Sequence, residues 1–230
     1  MKVAIVTGAS SGIGLALAER LASEQYRVIG VARNVARIPP TATAVEGDVG
    51  DPGTAQRAVE RALTQFGRLD LLVNNAGIFI AKPFPEYTAR DLAQLVNTNL
   101  NGFVHMTQRA LPAMKAGGHV VNIGTSLSTQ PQAQASSALA ILIKAGIEAA
   151  SRALAIEYAE RGIRVNTVAA GVIDTPMHTP ESHAFLRTLS PANRLGTVDE
   201  IADAVMYLER ASFVSGEVLR VDGGAHAGRF

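Results

Sequence analysis

Residues Thr7-Gly8-Ala9-Ser10-Ser11-Gly12-Ile13-Gly14 constrain the fold of this chain more than any other stretch. They follow Lys2-Val3-Ala4-Ile5-Val6, a short apolar, partly β-branched run of the kind that forms a buried strand. They precede Leu15-Ala16-Leu17-Ala18-Glu19-Arg20-Leu21-Ala22, which is rich in helix formers with apolar positions at helical spacing. Gly8, Gly12 and Gly14 therefore fall in a tight strand-to-helix turn. Without a Cβ the backbone can take positive φ and approach a ligand closely. The amides that open the following helix have no intrahelical partner, and the peptide dipoles favour an anion there. The expected ligand is a dinucleotide pyrophosphate. The spacing is G-x-x-x-G-x-G, not the common G-x-G-x-x-G, so the position between strand and helix carries the reading.

The rest of the chain alternates strand with helix. Strands are expected at 26–32, 42–46, 69–74, 119–123, 163–168 and 217–221. Helices are expected at 51–66, 89–113, 137–161 and 198–210. Asp51-Pro52 is a helix start signal. Such alternation predicts a parallel sheet covered on both faces. The fold class is α/β: one doubly wound Rossmann domain over 1–230, with a seven-stranded parallel sheet. Ligands of such sheets bind beyond the carboxyl ends of the strands. The longest irregular stretch begins after the sixth strand, and a lid or substrate loop is expected at about 170–195.

Composition narrows the function. Hydrophobic residues make up 47% of the chain and charged residues 18%, enough for a large core. A formal net charge of +1 argues against a nucleic-acid or polyanion partner bound by bulk charge. The chain has no cysteine, so disulfide and thiolate chemistry are excluded, in keeping with a reducing compartment. No apolar run reaches the roughly eighteen residues needed to span a bilayer. A cytoplasmic protein acting on a small-molecule substrate, with no membrane partner, is expected. The histidines at 105, 119, 178, 183 and 226 form no ligand-spaced pair with carboxylates, so no metal is expected.

About twenty residues past a dinucleotide-binding glycine turn, an acid usually holds the adenosine ribose of NAD. Here the second strand ends Val31-Ala32-Arg33-Asn34. A guanidinium clamps a 2′-phosphate by charge-assisted hydrogen bonds, and the missing carboxylate removes repulsion. Arg33 therefore favours NADP(H).

These motifs, in this order, resemble the short-chain dehydrogenase/reductase family over essentially the whole chain. Thr7 to Gly14 resembles its glycine motif, with Gly8, Ser10, Ser11, Gly12, Ile13 and Gly14 as candidate cofactor contacts. Asp48-Val49 resembles its adenine pair, and Asn74-Asn75-Ala76-Gly77 its cofactor wall after the fourth strand. Asn99 resembles its helix asparagine; Arg164-Val165-Asn166 and Val221-Asp222-Gly223-Gly224 resemble its late sheet motifs. Gly171 and Ile173, past the sixth strand, are further candidate cofactor residues. The resemblance implies a nicotinamide cofactor and a homo-oligomer, dimer or tetramer.

The catalytic segment departs from the family pattern. The family pairs a serine at the end of strand five with a Tyr-x-x-x-Lys helix. Lys144 is present, and the resemblance implies that it binds the nicotinamide ribose. Four positions earlier stands Ala140. The tyrosines are Tyr26, Tyr87, Tyr158 and Tyr207, and none restores the motif. Tyr158 is roughly 20 Å along the same helix at 1.5 Å per residue. Thr125 or Ser126 is expected at the serine position, in a segment about two residues longer than the family norm. Thr125, Ser126, Lys144 and Asn99 are the candidate catalytic residues. General acid catalysis contributes roughly 10²–10⁴-fold, so an alanine here predicts impaired ketone chemistry. Three readings follow: a reductase for quinone-like acceptors that need little protonation; a reductase using another hydroxyl or a water near Asn99 and Lys144; and a silent NADP(H)-binding redox sensor or oligomer partner.

Overall fold

The computed structural model describes residues 1–228; the last two positions of the expected 1–230 domain lie outside the described residues. Seven strands form one sheet in the order β3-β2-β1-β4-β5-β6-β7, every pairing parallel. They are β1 (Val3–Thr7), β2 (Arg27–Ala32), β3 (Ala42–Glu46), β4 (Leu71–Asn74), β5 (His119–Thr125), β6 (Arg164–Ala170) and β7 (Val218–Val221). Every residue of β1 is buried, as a strand covered on both faces requires. Helices α1 (Gly12–Ser23) and α7 (Val198–Arg210) cover one face, packing Leu17, Leu21, Ile201 and Val205 into one core cluster. Helices α2 (Pro52–Phe66), α4 (Gly102–Ala113) and α5 (Ala138–Glu157) cover the other, with Val59, Ala62, Met106, Ala110 and Ala155 in the second cluster. The winding direction reverses between β1 and β4, which opens a crevice at their carboxyl ends.

Local signals set the boundaries. Asp51 caps α2 by accepting from the Gly53 amide at 3.0 Å, and Gly67 ends it at φ 75°. Thr197 and Glu200 form a reciprocal capping box at the start of α7. Strand β5 runs two residues past the expected 123, because Gly124 and Thr125 still pair with Ala169 and Ala170 of β6. Helix α5 stops at Glu157 rather than 161; a 3₁₀ turn and Gly162, at φ 66°, lead into β6.

The expected helix at 89–113 is three pieces: α3 (Ala89–Leu95), a π-helical stretch at Val96–Asn101, and α4. Its physical cause is Asn99. The side-chain amide of Asn99 accepts from the Ile78 amide and donates to the Ile78 carbonyl, each at 2.9 Å. A π turn, which often marks a functional site, lets this buried side chain face the loop after β4.

At the amino ends of the strands, opposite the crevice, lies a buried ionic knot. Glu209 of α7 accepts from Lys2 Nζ at 2.7 Å, Tyr26 Oη at 2.8 Å and His119 Nδ1 at 2.8 Å. Asn166 Nδ2 donates to His119 Nε2 at 3.0 Å, which together with Glu209 fixes a neutral imidazole with its proton on Nδ1. The knot ties β1, β5 and β6 to α7. Among the described residues no helix is long and apolar enough to cross a membrane.

Candidate active site

The carboxyl ends of the strands surround a cleft of about 550 Å³. The glycine turn forms one wall: Gly8, Ser10, Ser11, Gly12 and Ile13 line it. Gly8 and Gly12 take φ of +69° and +52°. Gly14 lies beneath the wall, where a Cβ would meet the Gly8 carbonyl oxygen at 2.2 Å and Asn75 Nδ2 at 2.4 Å. Ser11, the N-cap of α1, is extended and makes no side-chain cap, so the amides of the first turn remain for an anion. This cradle fits a pyrophosphate.

Thr7 holds the turn against the next wall. Its Oγ1 accepts from the amides of Asn75 and Ala76 at 3.0 and 2.9 Å, while Asn75 Nδ2 donates to the Thr7 carbonyl at 2.9 Å. Asn75, Ala76 and Gly77 line the cleft beside it. Arg33, Asp48 and Val49 line its far end. Asp48 Oδ1 accepts from the Gly50 amide at 2.8 Å, which shapes its own turn. Arg33 is exposed and, among the described residues, enters no ion pair.

The candidate catalytic residues meet at the other end. Thr125, Ser126 and Lys144 line the cleft. Lys144 Nζ donates to the Ile123 carbonyl at 2.6 Å. Burial pulls its ammonium down to about 8, against the opposing field of Glu148 one turn along α5. Glu148 is buried and lies 2.5 Å from Ser128 Oγ, which is also 2.5 Å from the Thr125 carbonyl oxygen. Lys144 and Asn99 converge: a Cβ on Gly77 would stand 3.2 Å from Asn99 Oδ1 and 3.4 Å from Lys144 Nζ. Both side-chain ends of Asn99 are engaged by Ile78, so this side chain positions the wall and does not face the cleft.

Ala140 is 1% exposed, packed with Leu139, Ile143 and Ile147, and is not part of the cleft wall. Tyr87 packs against the same cluster, but its hydroxyl donates to the Ile80 carbonyl at 2.7 Å. No tyrosine among the described residues lines the cleft.

Gly171 and Ile173 line the cleft where β6 ends, and the segment after them closes over it with Met177, His178, Phe185 and Leu189. Burial, reinforced by His183, holds His178 below the ordinary imidazole value against Asp174. Gln132, in the lengthened segment before α5, donates to the Leu189 carbonyl at 2.8 Å and joins the two loops. The clamp role of Thr7 and the cleft positions of Phe79, Leu127, Gln132 and Phe185 are not legible in the sequence. Motif spacing carries no signal for contacts between loops distant in sequence.

Comparison with known proteins gives a consistent set of relatives. A family model described as enoyl-(acyl carrier protein) reductase matches residues 8–226. The chain is 38% identical to the granaticin polyketide synthase putative ketoacyl reductase 2 of Streptomyces violaceoruber, over 97% of this chain and 96% of that protein. It is 37% identical to the 3-oxoacyl-acyl-carrier-protein reductase FabG of Escherichia coli, over 98% of this chain and 97% of that protein. Among solved structures, a short chain dehydrogenase from Burkholderia cenocepacia in complex with NADP superposes with a TM-score of 0.92 at 33% identity, covering 97% of each chain.

Proposed function

The chain belongs to the short-chain dehydrogenase/reductase family of oxidoreductases, and on that premise we propose that it is an NADP(H)-dependent reductase that transfers hydride to a carbonyl or quinone-like acceptor without the usual tyrosine acid. The observation that carries this reading is the single cleft joining the glycine cradle to Thr125, Ser126 and Lys144, with no tyrosine in its wall. NADPH bound there supplies the hydride. Gly8 to Ile13 hold its pyrophosphate, Asn75 to Gly77 back the nicotinamide half, and Arg33 reads the 2′-phosphate. The segment at about 170–195 is the lid that excludes water.

Acceptors whose reduced form is itself a stabilised anion suit this site best. A hydroquinone anion is a phenolate with a pKa about 10, so it leaves the site without an obligatory acid. A turnover screen of quinones, ketones and alcohols, run beside a direct NADPH titration, tests the reading. Reduction of activated acceptors, with weak or no oxidation of simple alcohols, is expected. Tight NADPH binding without turnover of any acceptor would instead mean a redox sensor or oligomer partner, a reading that the burial of Ala140 favours.

Arg33 makes the cofactor preference testable. Losing one exposed charge-assisted contact to the 2′-phosphate costs about 1.5–3 kcal/mol, or roughly ten- to a hundredfold in affinity. Arg33→Ala should weaken NADP(H) by that factor and leave NAD(H) nearly unchanged, read from dissociation constants for both. Tighter NAD(H) binding by the wild type would defeat the proposal.

We also propose a homo-oligomer. Leu142 and Ile156 on α5 are 66% and 80% exposed, an apolar outer face on a helix whose inner face packs on the sheet. Light scattering at micromolar concentration should give a dimer or tetramer mass. A monomer would count against this.

A further inference from the structure

We propose that Lys144 itself donates the proton to the substrate oxygen, taking over the work of the missing phenol. The inference rests on the reductase reading above.

Three observations carry it. First, the other hydroxyl and imidazole candidates are weaker. Tyr87 is spent on the Ile80 carbonyl. Ser126 and Thr125 are alcohols, far poorer acids than a phenol at neutral pH. His178 lines the cleft from the lid, where burial disfavours its charged form. Second, the Lys144 ammonium lies in the cleft wall and, among the described residues, donates one hydrogen bond, to the Ile123 carbonyl. An ammonium has three N–H donors, so two remain for other partners. Third, Lys144 also lines a second, water-sized cavity of about 10 Å³ behind the cleft, shared with Asn74 and Asn99. Asn74 Oδ1 is buried there without a partner, while its Nδ2 donates to Thr107 and Asn122. A cavity of this size with polar partners is one a single water can occupy. A water held there would pass a solvent proton on to Lys144 after each transfer.

The step balances as follows. The carbonyl carbon gains a hydride from NADPH, which becomes NADP⁺, and the C=O π pair moves to oxygen. One Lys144 N–H bond breaks with its electron pair left on nitrogen, and its proton forms the alcohol O–H. The neutral amine then regains a proton from bulk solvent, so the full cycle consumes one NADPH and one solvent proton. Among its neighbours, Glu148 is the one ionisable group whose field acts on Lys144. The Ile123 carbonyl on β5 is a neutral partner.

Burial brings the ammonium down to about 8, a better proton donor than an ordinary lysine and still protonated at neutral pH. Carbonyl reduction should therefore be fastest below that value and fall as pH rises through it. Competitive acylation of the cofactor-free protein reads the same titration without turnover: Lys144 should react as an amine of pKa near 8, apart from the surface lysines. Lys144→Arg keeps a cation for the cofactor but holds its proton too tightly. It should keep NADPH affinity within about tenfold by fluorescence titration while kcat for carbonyl reduction falls roughly 100-fold or more. If arginine disturbs the fold, the acylation profile and the wild-type pH profile still decide. Retained kcat in Lys144→Arg, an ordinary lysine titration at position 144, or a rate that falls below pH 6.5 and vanishes in His178→Asn would each overturn the proposal. Wild-type protein that binds NADPH yet reduces no acceptor would defeat the reductase reading instead, even with a shifted Lys144 titration.

Discussion

Replacing Glu209 with alanine is expected to cost about 3–5 kcal/mol of folding stability, the usual penalty for breaking a buried charge network by removing one partner. Glu209 is 6% exposed and accepts from Lys2, Tyr26 and His119. Without it, His119, which is 0% exposed, loses the acceptor for its Nδ1 proton. The site lies at the foot of the sheet, so NADPH affinity per folded molecule should hardly change. Urea unfolding of both proteins checks the claim, and a loss under about 1 kcal/mol, the worth of a surface pair, would contradict it.

The same knot predicts acid sensitivity. Burial raises the Glu209 carboxyl, but hydrogen bonds from His119, Lys2 and Tyr26 outweigh it and hold the group down at about 2. A carboxylate lowered in the fold stabilises above its unfolded value of 4.5, and that stability is lost as pH falls from there toward 2. Burial likewise holds His119 below 6.5, with Arg164 adding to it against the pull of Glu209. The unfolded chain then binds the extra proton, so stability falls as pH drops below 6.5. The wild type should weaken on acidification from that point and more steeply below 4.5. Glu209→Ala should lose the lower part of this dependence.

Gly14→Ala is expected to weaken NADPH binding by about 100-fold or more, some 2.7 kcal/mol, while the fold survives. The added Cβ would stand 2.2 Å from the Gly8 carbonyl oxygen and 2.4 Å from Asn75 Nδ2. A backbone oxygen cannot rotate away as a flexible side chain could, so the turn proposed to cradle the pyrophosphate must shift. The same shift loosens the contact of Asn75 with Thr7. Fluorescence titration measures the affinity, and circular dichroism checks that the protein is folded. Near-normal affinity in a folded variant would show that the turn does not hold the pyrophosphate.

Elements whose cause is local were legible in the sequence. The glycine turn, the Asp51-Pro52 helix start and the alternation of apolar strands with amphipathic helices act within a few residues, and the parallel seven-stranded sheet followed from them. It also showed that Ala140 stands four residues before Lys144. What surrounds these residues depends on long-range packing. The π turn at Val96–Asn101 exists because Asn99 must reach Ile78, twenty-one positions away in sequence. Strand β5 extends to Thr125 because β6 is there to pair with it. The burial of Ala140 away from the cleft wall, the Gln132–Leu189 bridge and the convergence of Lys2, Tyr26, His119 and Glu209 all depend on segments distant along the chain. Side-chain periodicity reports which face of an element is buried. It does not report which atoms meet it there, because that depends on how the whole chain packs.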